Sequence, residues 1–314
     1  MRYDNRVDAS TPAGAPAAEV VGGYLREQAA ELAARAPQVC RDEPDAVHKM
    51  RVATRRLRSA LTTYRPLLRK KPTRTLKHEL TWLAGVLGAA RDSEVLHARV
   101  LAVRAGLPTQ VSSPSTAPAP GPATAGLAVP AGHVLDRVAE HLVGVHRDAM
   151  AEVTRALGSQ RYAALRERLD AYVTRPPWKK VAARPAGSVL PRFVRGAWKR
   201  VRRRAEAAEA ARSHAERVVH LHEVRKAAKR ARYAAESVEG VYGDPARRFA
   251  EAMQELQDVL GEHQDSVVAQ HLVEDLGHPE LVERELALQR EREQEYLALW
   301  ERVSSPELRG WLRT

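Results

Sequence analysis

The basic segment HKMRVATRRLR at 48–58 returns 174 positions later as HEVRKAAKRAR at 222–232. His48, Arg51, Arg55 and Arg58 of the first copy match His222, Arg225, Lys229 and Arg232 of the second. A repeated pattern of this kind predicts two copies of one helical unit, each offering the same charged surface. On a helix turning 100° per residue, each set of four falls within an arc of about 80°, and the rise spreads it over roughly 15 Å. Each row is a line of positive charge and not a point. Arg56 and Arg230 sit off the rows and reach them only from the flank.

The repeat extends beyond the rows. Tyr24 and Trp198 each stand 24 residues before their histidine. LAGVLGAARDSEV at 83–95 matches LQDVLGEHQDSVV at 256–268, which pairs Gly88 with Gly261, Asp92 with Asp265 and Ser93 with Ser266. After the tract 106–132 the best offset drops from 173 to about 146, a loss equal to the tract's own length. That tract, GLPTQVSSPSTAPAPGPATAGLAVPAG, carries no charge and cannot bury a core. It reads as an insertion into one arm of a duplicated bundle.

Everything outside the breaker-rich stretches has helical periodicity and good helix formers. Helices are expected at 17–36, 45–64, 74–88, 92–104, 133–157 and 160–173. In the second half they are expected at 188–212, 217–240, 245–260, 265–276, 281–303 and 306–312. The expected division is a disordered terminus at 1–16, a first bundle at 17–174, a linker at 175–187 and a second bundle at 188–314. Asp92 and Asp265 read as N-caps of the helices that follow them; pairing with row arginines is the alternative. The Glu-rich segment 280–301 reads as a solvated outer helix.

Lys and Arg total 51 against 39 Asp and Glu, a formal charge of +12 that favours polyanionic partners: nucleic acid, polyphosphate or an acidic membrane surface. From Ala46 to His78 there are eleven Lys or Arg and no acid. Solvated faces usually mix signs, so uncompensated charge here predicts a bound anion. Guanidinium forks suit phosphate oxygens. A third basic run, Arg192 to Arg204, is expected to line the same site through Lys199, Arg202 and Arg203, with Arg195 nearby. Lys49, Lys77 and Lys226 are further candidates.

His48 and His222 could ligate metal, act as general acids, donate to phosphate or serve as buried structural residues. Neighbouring cations should lower their pKa. Neither has a second His, Asp or Glu at ligand spacing within its row, which argues against metal. Phosphate-binding glycine loops, nucleophile elbows and metal-binding helix signatures are missing from the sequence. Cys40 is the only cysteine, so no disulfide framework is expected and a reducing cytoplasm fits best. No secretory leader or membrane span is expected.

The paired HxxRxxxRRLR motif and the LGAARD element at 87–92, echoed as LGEHQD at 260–265, resemble the CHAD domain, the conserved histidine α-helical domain. The resemblance covers about residues 17 to 312. It implies an all-α fold of two pseudo-symmetric four-helix bundles with a basic groove between them. It also implies that the groove binds inorganic polyphosphate without processing it, often at polyphosphate granules. Metal chelation by the histidines is an older proposal for the family. By position, the binding residues are His48, Arg51, Arg55, Arg58, His222, Arg225, Lys229 and Arg232. Lys229 replaces an arginine, and Gln264 stands where Arg91 stands in the first half. No catalytic residues, metal or cofactor are expected. Nucleic-acid binding and a phosphate-transfer or metal-dependent hydrolytic activity remain the alternatives.

Overall fold

The computed structural model describes residues 12–105, 131–275 and 279–313. The described chain is all-α, with no β-strand among these residues beyond two isolated bridges. The first half holds α1 (Ala17–Cys40), α2 (Ala46–Thr63), α3 (Lys70–Ala105), α4 (Ala131–Leu157) and α5 (Gln160–Thr174). The second half holds the short α6 (Ala186–Val189), α7 (Pro191–Glu209), α8 (His214–Glu236), the short α9 (Glu239–Tyr242), α10 (Asp244–Asp275) and α11 (Pro279–Val303). Short 3₁₀ turns follow α2, precede α6 and close the chain at Glu307–Arg313.

In the first half α1 packs on α2, α2 on α3 and α3 on α4, and α5 returns against α1. In the second half α7 packs on α8, α8 on α10 and α10 on α11. The two sets meet where α2 crosses α8 and where α3 meets α10. One apolar cluster runs through both sets, from Ala17, Leu57 and Leu83 to Val224, Leu256 and Leu312. A smaller cluster joins Val100 and Leu135 to Ala269, Val273 and Leu281. The halves therefore share buried surface, which fixes the crossing of α2 over α8.

Four expectations change. The predicted breaks after Gly88 and Leu260 do not occur: α3 and α10 run unbroken through Asp92 and Asp265. A helical glycine costs only about 1 kcal/mol, and packing on both neighbours outweighs it. Neither aspartate caps a helix. Residues 12–16 of the expected disordered terminus are held by the stretch expected to be a linker. Ala186 N donates to Ala15 O at 2.7 Å, Gly187 N to Ala13 O at 2.9 Å and Ala17 N to Arg184 O at 2.9 Å.

That stretch is itself clasped at its other end. Arg69 N donates to Pro177 O and Lys179 N to Leu67 O, both at 2.8 Å. On α11, Glu285 is buried and not solvated; it accepts from Arg99 on α3 at 2.6 Å and from Ser266 Oγ on α10 at 2.8 Å. Residues 1–11 and 106–130 of the expected terminus and insertion lie outside the described residues, while Ala131 and Gly132 begin α4.

Candidate functional site

The crossing of α2 over α8 is built by side chains just off the rows. Tyr64, at the end of α2, shares a 2.6 Å hydrogen bond with Ser237, just past α8. Glu236 takes Arg56 from α2 at 3.0 Å and Arg232 from its own helix at 3.0 Å. The buried Tyr233 ring sits under three guanidiniums, those of Arg55, Arg56 and Arg232, with centroid distances of 5.9, 5.6 and 4.9 Å. Its hydroxyl accepts from Arg55 Nε at 2.9 Å. Cation–π contacts of this kind contribute about 0.5–2 kcal/mol each. The C-terminal ends of the two row helices are thereby locked together.

The rows meet at Lys229. Its ammonium is partly buried, and its pKa is lowered to about 7, first by burial and then by Arg55, Arg225, Arg232 and Arg51. Two of those guanidiniums come from α2 and two from α8, so cations of both helices surround one amine. Arg58 lies beside Arg230 and Arg55; burial and both neighbours lower its pKa. Its buried Nε has no hydrogen-bond acceptor among the described residues. Desolvated cations without counter-charges raise the free energy of the fold, and a neighbouring anion would lower it.

Away from the crossing the two rows repeat each other's contacts. His48 lies beside Arg91 of α3, while His222 lies beside Gln264 of α10. Both imidazoles have lowered pKa values, chiefly through burial and next through a neighbouring cation: Arg91 for His48, Lys226 for His222. Arg51 donates to Asp92 at 2.8 Å and reaches the Gly88 carbonyl at 3.4 Å. Arg225 reaches the Gln257 carbonyl at 3.4 Å and passes over Gly261, where a Cβ would stand 3.3 Å from its Nη2. Asp265 is exposed on α10 near Arg225 and Arg99, and partial desolvation raises its pKa. The two aspartates thus neighbour row arginines, the alternative role to capping.

The remaining candidates divide. Lys49 faces Asp45 at 3.8 Å, and Lys226 is paired with Glu223. Arg56 is committed to Glu236, and Arg230 stands beside Arg58. Lys77 is half-buried on α3. Arg225 and His222 turn toward α10, whereas the other flank of α8 meets α7 through Glu223 and Arg204 at 3.7 Å. Arg195 on α7 donates to the Leu312 carbonyl at 2.7 Å, and Arg202 pairs with Glu206 at 3.2 Å. Among the described residues α7 meets α8 through Arg204 and Glu223, and no ion pair joins Lys199, Arg202 or Arg203 to a row residue.

Sequence reasoning missed Tyr233, Glu236 and Arg91 as parts of the site. Glu236 stood four residues after Arg232, an ordinary helical pair on its face. Only the crossing shows that it also holds Arg56.

The comparisons with known proteins agree with this geometry. The CHAD domain family profile matches residues 23–274, most of the chain and both rows. The chain belongs to the CHAD domain family. Two relatives, Uncharacterized protein MT2285 of Mycobacterium tuberculosis (strain CDC 1551 / Oshkosh) and Uncharacterized protein Rv2226 of Mycobacterium tuberculosis (strain ATCC 25618 / H37Rv), are each 34% identical over 267 residues. Those alignments cover 82% of this chain but 46% of each relative, so the chain spans about half the length of the curated relatives it matches.

Among solved structures, the CHAD domain from the plant Ricinus communis superposes with a TM-score of 0.64 at 24% identity, covering 100% of this chain and 98% of that one. PptA from Streptomyces chartreusis gives 0.62 at 21% identity, covering 95% and 100%. Both show that the fold is shared. Among the described residues no helix is long and apolar enough to cross a membrane, and no three His, Cys, Asp or Glu side chains are grouped to hold a metal ion.

Proposed function

We propose that this CHAD domain binds inorganic polyphosphate along the two rows and does not process it. The observation that carries the reading is the packing of α2 on α8, which sets Arg55 of one row against Tyr233 beside the other and leaves the partly buried Lys229 amine near guanidiniums of both helices. The acid at the crossing, Glu236, is already committed to Arg56 and Arg232, and Asp92 farther along is committed to Arg51. A flexible polymer with charge on every unit supplies counter-charges to the whole row without base recognition. Guanidinium forks hold its oxygens with paired hydrogen bonds, and each half-buried histidine can donate one more.

No nucleophile with an adjacent base is evident at the rows, and the reading is of capture and release without bond cleavage. A place at polyphosphate granules follows from such capture. Nucleic acid is the competing polyanion, but exposed aromatic platforms for stacked bases do not accompany the rows. The test is a binding titration against long-chain polyphosphate, with duplex and single-stranded nucleic acid as competitors. The proposal expects polyphosphate to displace nucleic acid at far lower phosphate-equivalent concentration, with no phosphate released. Preference for nucleic acid, or release of phosphate abolished by His48→Ala, would overturn it.

A further inference from the structure

The chain carries a second basic surface outside the rows. Residues 46–78 contain no Asp or Glu, and neither do residues 171–205. The fold clasps these two acid-free segments together through the Leu68–Trp178 bridge and its flanking hydrogen bonds, Arg69 N to Pro177 O and Lys179 N to Leu67 O. The clasp gathers Arg69, Lys70, Lys71 and Arg74 on one side with Lys179 and Lys180 on the other. All six are exposed, and none is ion-paired among the described residues. Lys70 and Lys71 occupy the first turn of α3, where the helix dipole disfavours cations.

The fold does not require this charge. The matching stretch of the second half, 239–251, mixes Glu239, Asp244 and Glu251 with two arginines, and Asp244 pairs with Arg247 at 2.6 Å. The corresponding connection of the sequence repeat therefore carries balanced charge. The exposed large apolar side chains lie at Val95, Leu101, Val143, Val145, Val219, Val268 and Leu297, all outside the two segments, so a membrane-inserting face is not present there. Trp178 packs near Gly22 and offers no open stacking platform. A phosphate polymer read through its charge alone fits the surface best. The row helix α2 ends at Thr63, and only the short turn Arg65–Leu67 separates it from Arg69.

We propose that the clasp formed by Arg69–Arg74 and Lys179–Lys180 is a second polyphosphate-binding surface, which takes the part of a long chain that overhangs the rows. This rests on the reading that the rows bind polyphosphate. A polymer long enough to touch both surfaces gains avidity through effective concentration, and a short one cannot. The test compares wild-type protein with a Lys70→Gln, Lys71→Gln, Lys179→Gln, Lys180→Gln variant, using tripolyphosphate and long-chain polyphosphate as probes. The variant should keep its helicity and unfolding midpoint. Its affinity for long-chain polyphosphate should fall about tenfold or more, with tripolyphosphate affinity changed less than about twofold.

Equal loss with both probes, or no loss with the long chain, overturns the clasp as a second surface while leaving the rows standing. Loss of binding to duplex DNA or phosphatidylserine vesicles, with long-chain affinity unchanged, also overturns it. Wild-type protein that binds neither probe would instead show that the reading of the rows has failed, and the clasp with it.

Discussion

Tyr64 and Ser237 stand 173 positions apart and share a buried 2.6 Å hydrogen bond. The same offset aligns Gly88 with Gly261 and Asp92 with Asp265, so this contact joins a position to its own counterpart in the repeat. Around it lie Glu236, Tyr233 and the convergent ends of both rows. Whatever holds this contact holds the rows together.

Ser237 Oγ also donates to the Ala234 carbonyl at 2.8 Å, which makes Tyr64 the donor in the pair. Burial holds the Tyr64 hydroxyl well above the usual phenol range, consistent with a neutral donor. Tyr64→Phe removes the donor and should lower stability by about 1 kcal/mol. Ser237→Ala strands a buried hydroxyl and should cost more, about 1–3 kcal/mol. Chemical denaturation of both variants checks the order.

Lys229 predicts a pH dependence with a definite sign. Its folded pKa, about 7, lies below the unfolded lysine value of about 10.4. Between those values the unfolded chain holds more protons, so stability of the free protein should rise with pH across that window. Lys229→Met should flatten the rise. A bound phosphate favours the charged amine, so binding near pH 8 should take up a proton and weaken as pH increases from 7 to 9. Calorimetry in two buffers of different ionisation enthalpy measures that uptake.

Gly261 lies under Arg225, and a Cβ there would stand 3.3 Å from Nη2. That neighbour is the far end of a flexible side chain, so Gly261→Ala should fold. The helix should gain about 0.5–1 kcal/mol from the lost glycine. The guanidinium must move, so polyphosphate affinity should fall about twofold to threefold. Greater stability with weaker binding is the expected pairing, read by thermal unfolding and titration.

Salt separates cations that meet phosphate from cations that hold the fold. Binding should weaken linearly in log–log form as counterions are released. Arg58→Ala should lower the slope by about one unit. Arg195→Ala should leave the slope unchanged, because that side chain is spent on the Leu312 carbonyl. Titrations at several salt concentrations decide between them.

The helical class was legible because periodicity is a local property of sequence. The continuity of α3 and α10 was not, since Gly88 and Gly261 look like terminators until the packing of neighbouring helices outweighs their small cost. The misreading of Asp92 and Asp265 as caps followed from the same error. The pairing of Ala15 with Ala186, and the clasp of Leu68 with Trp178, join segments remote in sequence with no shared pattern. Glu236 and Tyr233 were invisible for a similar reason: their partners lie on the other row helix.

The most direct test of a single site made by both rows is polyphosphate binding and stability of an Arg55→Gln, Lys229→Gln variant. These residues meet at the crossing, one from each row, and Lys229 is a cation whose burial disfavours the empty fold. The account predicts at least a tenfold loss of affinity in a variant that stays folded, the relief of the Lys229 charge offsetting the lost contacts of Arg55 with Tyr233. Wild-type affinity in the folded variant would contradict it.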